Sequence, residues 1–295
     1  MGLTGERLQA IQSHLTSVPT ISFIGGGNMA EAILAGLHAS GHPGAKLKYS
    51  EPFQQRRDYM ESKYPELVGS ADSEPVLRGA DVVVLAVKPQ VLRQVLIDNR
   101  SALLQNPNTM IISIAAGITI KDMLKWLNPD QPVNMVRCMP NTPSLLGEGA
   151  FGLYATDVVS EQQCQMAENI MRAVAKEVVW VKDESLIDSV TGISGSGPAY
   201  FFLIMEAMQN AGMEAGLSAE DAKALTLQTC LGATRMAQTS EDDLATLRRK
   251  VTSPKGTTEA AINSMESNQI RDIMKQAVFA ALHRGQELSR ELGRD

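Results

Sequence analysis

The chain has 295 residues, enough for two domains, because single hydrophobic cores rarely grow beyond about 250–300 residues. Hydrophobic residues make up 44% of it and charged residues 20%, and the net charge of −6 argues against a general nucleic-acid binder. Cys138, Cys164 and Cys230 lie far apart with no C-x-x-C pair, which argues against a disulfide framework or a structural zinc site and favours a reducing compartment, the cytoplasm. No apolar run is long enough to span a membrane.

Residues 1–19 mix polar and apolar positions and predict a short helical extension, not a signal peptide. From there the chain alternates between strand-like and helix-like segments. Several of the strands are nearly continuous apolar runs, as expected for parallel strands covered on both faces. This pattern predicts a doubly wound α/β domain over residues 1–182. The predicted strands are Thr20–Ile24, Lys46–Ser50, Asp81–Val87, Thr109–Ala115, Val133–Met139 and Glu177–Val181.

Residues 183–295 change in character and predict an all-α second domain. The helix expected at Tyr200–Leu217 is apolar over much of its circumference, and a helix of that kind must be buried. A small helical domain has little core to hide it, so we expect a partner subunit to cover it. The other helices are predicted at Ser218–Gln238, Glu241–Val251, Pro254–Glu266 and Gln269–Leu292.

A glycine-rich turn follows the first predicted strand and precedes a helix expected at Asn28–Ser40. In its G-x-G-x-x-A pattern, Gly25 permits a tight turn, Gly27 lets backbone approach a pyrophosphate and Ala30 allows close helix packing. The helix start offers N–H groups to the phosphates. A carboxylate that ends the second strand is placed to bind the adenosine ribose. The predicted dinucleotide-binding residues here are Ile24, Gly25, Gly26, Gly27, Asn28, Met29 and Glu51.

Glu51 also bears on which cofactor is used. A carboxylate bonds the ribose hydroxyls of NADH and repels the extra phosphate of NADPH. Arg56 and Arg57, a few residues on, can pair with that phosphate. We therefore expect NADPH or NADH, with NADH favoured or both used.

Three later strand ends carry small residues and prolines. Ligands of doubly wound sheets lie beyond the carboxyl ends of the strands, where small residues let the chain approach a flat ring. Taken singly, each segment is also an ordinary strand terminator. Together they predict further cofactor-binding residues, namely Ala86, Val87, Lys88, Pro89, Ala115, Ala116, Gly117 and Asn141.

The segment Ser253–Thr258 (SPKGTT), called here the serine–proline segment, predicts an anion site. Ser253 is a good N-cap and Pro254 suits the first helical position, so a helix is expected to start there with its N–H groups directed at one spot. Such a spot binds a carboxylate, and Thr258 adds a hydroxyl one turn further on. A plain helix cap is the alternative interpretation.

With this segment and Ile193–Tyr200 (ISGSGPAY), the motifs F-I-G-x-G-N-M, A-V-K-P, A-A-G and M-x-N-T-P make the chain resemble the pyrroline-5-carboxylate reductases from about Ile21 to Leu288. The resemblance implies NAD(P)H-dependent reduction of 1-pyrroline-5-carboxylate to L-proline. It also implies a dimer, in which one subunit's helical domain completes the other's active site, and a decameric ring of dimers. The substrate residues that it implies are Glu241, Ser253, Gly256, Thr257 and Thr258, with Thr258 positioning the ring nitrogen as the catalytic residue.

Two positions leave alternatives open. Glu241 falls where the family places an acidic residue near the substrate nitrogen, but Ser240 and Asp243 also form a helix-capping pattern that Glu241 would merely complement. Lys255 stands where the family usually has glycine, so it is strained if its φ is positive and unstrained if its φ is negative.

Other signals are weaker. His38 and His42 have a metal-ligand spacing, but Gly41 interrupts the helix between them, and we predict no metal site. The competing functional hypotheses are another two-domain reductase, such as a hydroxyacid dehydrogenase, and a non-catalytic dinucleotide sensor. The first leaves the serine–proline segment unexplained, and the second predicts cofactor binding without turnover.

Overall fold

The structure, a computed structural model, describes residues 18–293. The helical extension predicted for residues 1–19 lies almost wholly outside them. The chain forms two compact units: the first ends at Gly195 and resumes at Ala281, and the second is Ser196–Ala280. This division differs from the expected one after residue 182, because the segment that follows the last strand packs on the sheet and the last helix returns to the first unit.

The first unit is built on one eight-stranded sheet in the order β3-β2-β1-β4-β5-β6-β7-β8. The first six strands are parallel to one another, whereas β7 runs antiparallel to β6 and parallel to β8. The order 3-2-1-4-5-6 is that of dinucleotide-binding sheets, so the predicted doubly wound fold is confirmed. The strands are β1 (Ile21–Ile24), β2 (Leu47–Ser50), β3 (Val68–Ser70), β4 (Val82–Leu85), β5 (Met110–Ser113), β6 (Asn134–Met139), β7 (Gly149–Ala155) and β8 (Ala175–Trp180).

Helices cover both faces of this sheet. Successive residues of β4 alternate between two hydrophobic clusters, with Val82 and Val84 in one and Val83 and Leu85 in the other. The strand is apolar throughout because both of its faces are buried. The helices are α1 (Asn28–Ala39), α2 (Gln54–Lys63), α3 (Ser73–Leu77), α4 (Pro89–Asp98), α5 (Arg100–Leu104), α6 (Ile120–Leu127), α7 (Glu161–Arg172) and α8 (Leu186–Val190), with 3₁₀ turns at Gly44–Lys46 and Thr142–Leu146 and a π-helical turn at Thr191–Gly195.

The second unit is entirely helical across its described residues. Its helices are α9 (Gly197–Glu214), α10 (Ala219–Thr239), α11 (Leu244–Lys250), α12 (Thr257–Ser267) and the first part of α13 (Ile270–Leu292). The main intra-unit packing is between α9 and α10. Within the single chain, α9 leaves Phe201, Phe202 and Leu203 exposed. These are side chains that the sequence predicted to be covered by a partner.

The strands β3 and β7 are absent from the sequence prediction. The part of α13 from Ala281 onward belongs to the first unit. Its Leu288 packs against Gly117, where an added Cβ would lie 3.2 Å from the leucine Cβ.

Among residues 18–293, no helix combines the length and the apolar character needed to cross a bilayer.

Candidate active site

The register of the sheet gathers the predicted cofactor loops at one edge. Ile24 lies beside Ser50 on one side and Leu85 on the other, and Leu85 lies beside Ser113. Because these strands are parallel, the segments that follow them all leave the sheet at its carboxyl edge. The loops after β1, β2, β4 and β5 are therefore neighbours, as the sequence predicted.

Gly25 makes the turn after β1 in a conformation that only glycine adopts freely. Its φ is +104°, and a Cβ at this position would lie 2.6 Å from the carbonyl oxygen of Ala86. The turn thus brings β1 and the loop after β4 into close backbone contact. The tight-turn role predicted for Gly25 agrees with this geometry.

Gly27 and the start of α1 form the open part of the turn. Gly27 is the N-cap residue of α1, no side chain caps the helix, and a Cβ on Gly27 would meet nothing within 4 Å. The helix begins at Asn28 and Met29, and Ala30 behind them is fully buried against the core. An uncapped helix start behind an open glycine is suited to a phosphate group. The cradle therefore fits the pyrophosphate of a dinucleotide.

Glu51 is buried and bonded to the chain's own backbone. Its Oε2 accepts a hydrogen bond from the Gly26 amide at 3.0 Å, and its Oε1 accepts one from the Phe53 amide at 3.0 Å. The carboxylate thus stands at the end of β2, where it was predicted, and it also fixes the shape of the glycine turn. Each oxygen keeps a second lone pair for another donor.

Arg56 and Arg57 are both engaged. The Arg56 Nε donates to the carbonyl of Gly26 at 2.7 Å, and its Nη2 forms an ion pair with Glu31 at 2.6 Å. The Arg57 Nη1 donates to the carbonyl of Glu51 at 2.7 Å, and its Nη2 bonds Gln54. Neither guanidinium is wholly available for a phosphate.

Glu31 anchors this corner. Burial tends to raise the pKa of its carboxyl, but hydrogen bonds from Lys63, Arg56, Tyr59 and Tyr64 outweigh that effect and lower the pKa from 4.5 to about 2. Glu31 is therefore ionised at neutral pH and holds Arg56 against the glycine turn.

The loops after β4 and β5 present the small residues that the sequence indicated. Lys88 is the N-cap residue of α4 and Pro89 its first residue, a position that suits proline because no N–H is needed there. After β5, Ala116 is exposed and Gly117 has a φ of +72°. The Val87 side chain lies beside Gly25, with its Cγ1 3.1 Å from where a Cβ of that glycine would be.

Asn141 has a structural role for its side chain. Its Nδ2 donates to the carbonyl of Ser194 at 3.1 Å, and its Oδ1 accepts from the Ala150 amide at 3.0 Å. The side chain therefore joins the loop after β6 to β7 and to the π-helical turn. Because both ends of its side-chain amide are bonded, Asn141 would contact a cofactor through its backbone.

The serine–proline segment is a turn that precedes the helix, so the predicted helix start at Ser253 and Pro254 is wrong. The Gly256 amide donates to the Ser253 carbonyl at 3.0 Å, which closes a turn with Pro254 second and Lys255 third. Lys255 has a φ of +58°, as the third residue of a type II turn requires, and that conformation cannot continue a helix. Gly256 is the N-cap residue, and α12 begins at Thr257.

The start of α12 still offers N–H groups. No side chain caps it, and Thr257 and Thr258 are its exposed first two residues. The Gly256 amide, assigned to the carboxylate by resemblance, is used within the turn. The Lys255 amide donates to Glu259 Oε2 at 2.7 Å. The donors that remain are therefore the amides of the first helical turn and the hydroxyls of three exposed residues, Ser253, Thr257 and Thr258.

The capping pattern proposed for Ser240 and Asp243 is also wrong. Asp243 alone caps α11, with its Oδ1 accepting from the Thr246 amide at 2.6 Å, while the Ser240 hydroxyl bonds Asp242. The helix predicted from Glu241 begins at Leu244, so Glu241 lies exposed two positions before the N-cap residue, outside the helix. Glu241 therefore has no part in capping α11.

Two family models cover most of the chain. The model described as pyrroline-5-carboxylate reductase dimerisation matches residues 184–288, and the one described as NADP oxidoreductase coenzyme F420-dependent matches residues 20–117. The first covers Glu241, which precedes α11, and Thr258 in α12, and the second covers the glycine turn and the loops after β4 and β5.

Full-length relatives agree. The chain is 49% identical to the pyrroline-5-carboxylate reductase of Pseudomonas aeruginosa, over 94% of this chain and 99% of that protein. It is 41% identical to the enzyme of that name from Vibrio alginolyticus, over 92% and 97% of the two chains. The chain belongs to the pyrroline-5-carboxylate reductase family. The resemblance stated from its motifs is confirmed.

Solved structures of the family have the same fold. The pyrroline-5-carboxylate reductase of Coxiella burnetii superposes with a TM-score of 0.87 at 42% identity, covering 92% of this chain and 99% of that one. The Plasmodium falciparum pyrroline carboxylate reductase, solved with NADP bound, gives a TM-score of 0.80 at 29% identity, covering 92% and 98%. The cofactor of the family is thus NAD(P)H, as expected.

The fold also makes contacts between these residues that the sequence did not predict. The contacts of Gly26 with Glu51 and Arg56 link residues 25 and 30 positions apart, and no local pattern indicates them. His38 and His42 have separate partners, Glu66 and the carbonyl of Pro19. Across residues 18–293, no group of three or more candidate ligands is placed to hold a metal.

Proposed function

We propose that this protein reduces 1-pyrroline-5-carboxylate to L-proline at the expense of NADPH or NADH, the last step of proline biosynthesis. The reduced nicotinamide, when bound, supplies a hydride to the imine carbon. The imine nitrogen must carry a proton, taken from water, so that the electron pair of the C=N bond ends on nitrogen as the ring becomes saturated. The protein's task is to bind and align the two ligands.

The observation that carries this proposal is the uncapped start of α12. A helix N-terminus that follows a tight turn and lacks a side-chain cap presents amides and a partial positive charge to a carboxylate. The amides of Thr257 and Thr258 would hold the substrate carboxylate. The Thr258 hydroxyl, also in the first helical turn, would contact the ring nitrogen. Glu241, free of a capping role, would favour the protonated imine.

The first unit supplies the cofactor site. Residues Ile24–Met29 and the start of α1 would hold the pyrophosphate, and Glu51 would accept from the adenosine ribose with its remaining lone pairs. Ala86–Pro89 and Ala115–Gly117 would line the nicotinamide end. Asn141 would contribute through its backbone, because its side chain is committed to Ser194 and Ala150.

For this chain we infer that NADH is favoured or that both cofactors serve. The carboxylate of Glu51 repels a phosphate on the ribose, and Arg56 and Arg57 are tied to protein oxygens. Comparing kcat/KM for NADH and NADPH measures this preference. A strong preference for NADPH would mean that the arginines leave their partners when the cofactor binds.

We further infer that the protein is a cytoplasmic dimer and that dimers assemble into a decameric ring. The exposed apolar side chains of α9 support the dimer, and the match of residues 184–288 to a dimerisation model supports it independently. Cys138, Cys164 and Cys230 are all free thiols, as in a reducing compartment. Sedimentation velocity distinguishes a dimer from a decamer.

The direct test is an absorbance assay of NADH or NADPH consumption with 1-pyrroline-5-carboxylate, with L-proline identified as the product. Cofactor binding without turnover would refute the proposal and favour a dinucleotide sensor. Faster turnover of 2-hydroxy or 2-oxo acids would favour a hydroxyacid dehydrogenase.

The role of Thr258 is tested by Thr258→Ala. We expect kcat to fall by about tenfold to a hundredfold, because one oriented hydrogen bond to the reacting ring is lost, while the KM for the cofactor changes little. Thr257→Val is the matched control, because only the amide of Thr257 is assigned a role. Near-normal turnover in Thr258→Ala would remove its hydroxyl from the site.

A further inference from the structure

A separate cleft with charged side chains among its lining residues lies within the first unit, and none of the residues assigned to cofactor or substrate lines it. Its volume is about 370 Å³, and it opens between α8 and the end of α13. Four ionisable side chains line it: Arg137 from β6, Glu184 and Asp188 from the segment around α8, and Arg290 from α13. The reductase reaction uses none of them.

Two of these charges satisfy one another. Arg137 is only 4% exposed at its side chain, and its Nη1 lies 3.1 Å from Glu184 Oε1. The same Glu184 oxygen accepts the Ile120 amide at 2.7 Å. Glu184 therefore has its partners within the protein, and the guanidinium has spent one hydrogen bond on it.

Asp188 is held less closely than Glu184, through a longer ion pair with Arg137. It is 9% exposed, and no described residue donates a hydrogen bond to its carboxylate. The nearest cation is the Nη2 of Arg137, at 3.8 Å from Oδ1, beyond hydrogen-bond distance. Burial raises the pKa of Asp188, Arg137 opposes this effect, and Glu184 adds to it. A buried carboxylate without donors is costly, so a ligand that donates to it would be stabilised.

The helix on the other side of the cleft offers the opposite polarity. Arg290 is exposed and forms no hydrogen bond or ion pair with any described residue. The neighbouring Ser289 has a buried hydroxyl without a hydrogen-bond partner among the described residues. This wall therefore provides a cation and a hydroxyl group, both of which suit a carboxylate.

We propose that this cleft binds a free amino acid as its zwitterion. Asp188 would accept from the ammonium group, and Arg290 with the Ser289 hydroxyl would bind the carboxylate. A simple anion would be repelled by Asp188 and Glu184, and a simple cation by the two arginines. A molecule with one charge of each sign complements both walls, and the volume admits a small amino acid with accompanying water. This site is independent of the reductase reaction.

The test begins with a thermal-shift screen of the common L-amino acids on the full-length protein, because a ligand that binds only the folded state raises its melting temperature. The amino acid giving the largest shift, other than proline, is then titrated calorimetrically. We expect its N-acetyl and carboxamide derivatives to bind about tenfold more weakly or worse, since each lacks one of the two charges.

Variants locate the binding. Asp188→Asn and Arg290→Gln should each weaken the Kd of the amino acid about tenfold or more, and Arg290→Gln should fold normally because its side chain is exposed. Glu177→Gln, an exposed acid on β8, is the control, and Thr258→Ala should bind as well as the parent because Thr258 does not line the cleft. No shift with any amino acid, or equal binding in both variants, would overturn the proposal. Neither outcome would affect the turnover of 1-pyrroline-5-carboxylate.

Discussion

The first unit, called here the sheet unit, and the second, called the helical unit, differ in how far the single chain buries their apolar side chains. In the sheet unit, every residue of β1 and β4 is buried within the chain. Among described residues of the helical unit, Ala222 is the one hydrophobic side chain that is buried, while Phe201, Phe202 and Leu203 are 58%, 64% and 67% exposed. A single chain therefore completes the core of the first unit and leaves the second without one.

This contrast indicates that the two units owe their stability to different partners. The sheet unit depends on contacts that any isolated chain makes. Contiguous exposed apolar surface of the kind found on α9 marks an interface between proteins. We therefore expect changes in α9 to act on assembly and changes in the glycine turn to act on cofactor binding.

The largest effect is expected from Phe202→Glu. A two-fold interface carries the substitution twice and would bury two unpaired charges, so the dimer should weaken by about a thousandfold or more. Sedimentation equilibrium measures this dissociation constant. Ile97→Glu, an exposed apolar position of the sheet unit, is the control. An intact dimer in Phe202→Glu would break the comparison, because the exposed face of α9 would then have another role.

Gly25→Ala tests the sheet unit. The substitution places a Cβ 2.6 Å from the Ala86 carbonyl at a φ of +104°, so the turn must move. Cofactor affinity should fall by at least about a hundredfold, since strain of about 1–2 kcal/mol adds to the displacement of the loop. Fluorescence titration of NADH measures the loss. Gly79→Ala shares the positive φ but meets nothing within 4 Å, and it should retain cofactor affinity.

Glu51→Gln tests whether the Glu51 carboxylate sets the preference between NADH and NADPH. Removing the negative charge should shift the ratio of kcat/KM values toward NADPH by about tenfold, equivalent to 1.4 kcal/mol. The glutamine amide nitrogen cannot accept a hydrogen bond, so affinity for both cofactors should also decline somewhat. Glu61→Gln makes the same charge change on the exposed face of α2. An identical ratio in all three proteins would exclude Glu51 from cofactor selection.

The smallest effect is expected from Lys255→Gly. Relief of a φ of +58° should raise the free energy of unfolding by about 1 kcal/mol, measured by urea denaturation. Gln269→Gly, at a φ of +59° between α12 and α13, should give a similar gain outside the site. If only Lys255→Gly also changes the KM for the substrate, the lysine ammonium contributes to carboxylate binding.

Much of the fold is readable from sequence because the central strands are apolar on both faces. The two missed strands were hidden for different reasons, because β3 is not buried and β7 is apolar but contains residues that disfavour strands. β3 has three residues, none of them buried, and β7 (GAFGLYA) contains two glycines. One of these, Gly152, is required because α8 packs on it: a Cβ there would lie 2.6 Å from Val190 Cγ2. The same contact that positions α8 conceals the strand from a propensity argument.

The candidate site divides in the same way. The glycine turn is readable because its spacing reflects local backbone requirements. The sequence placed the start of α12 at Ser253 because serine followed by proline is a good cap. Lysine rarely adopts a positive φ, so its residue type gave no indication of the turn at Lys255. Likewise, the bonds that fix Asn141 reach Ala150 and Ser194, and only the folded chain brings those partners together.

The two hydrogen bonds that hold Gly26 affect the rate of cofactor binding and the conformational entropy that binding loses. Its N–H is held by Glu51 and its carbonyl by Arg56, so the most flexible residue type in the chain is held on both sides without any ligand. A phosphate arriving at this loop meets a receptor that is already shaped, and little chain entropy is lost on association. Association should accordingly be a single fast step limited by diffusion, with no slower phase of loop rearrangement.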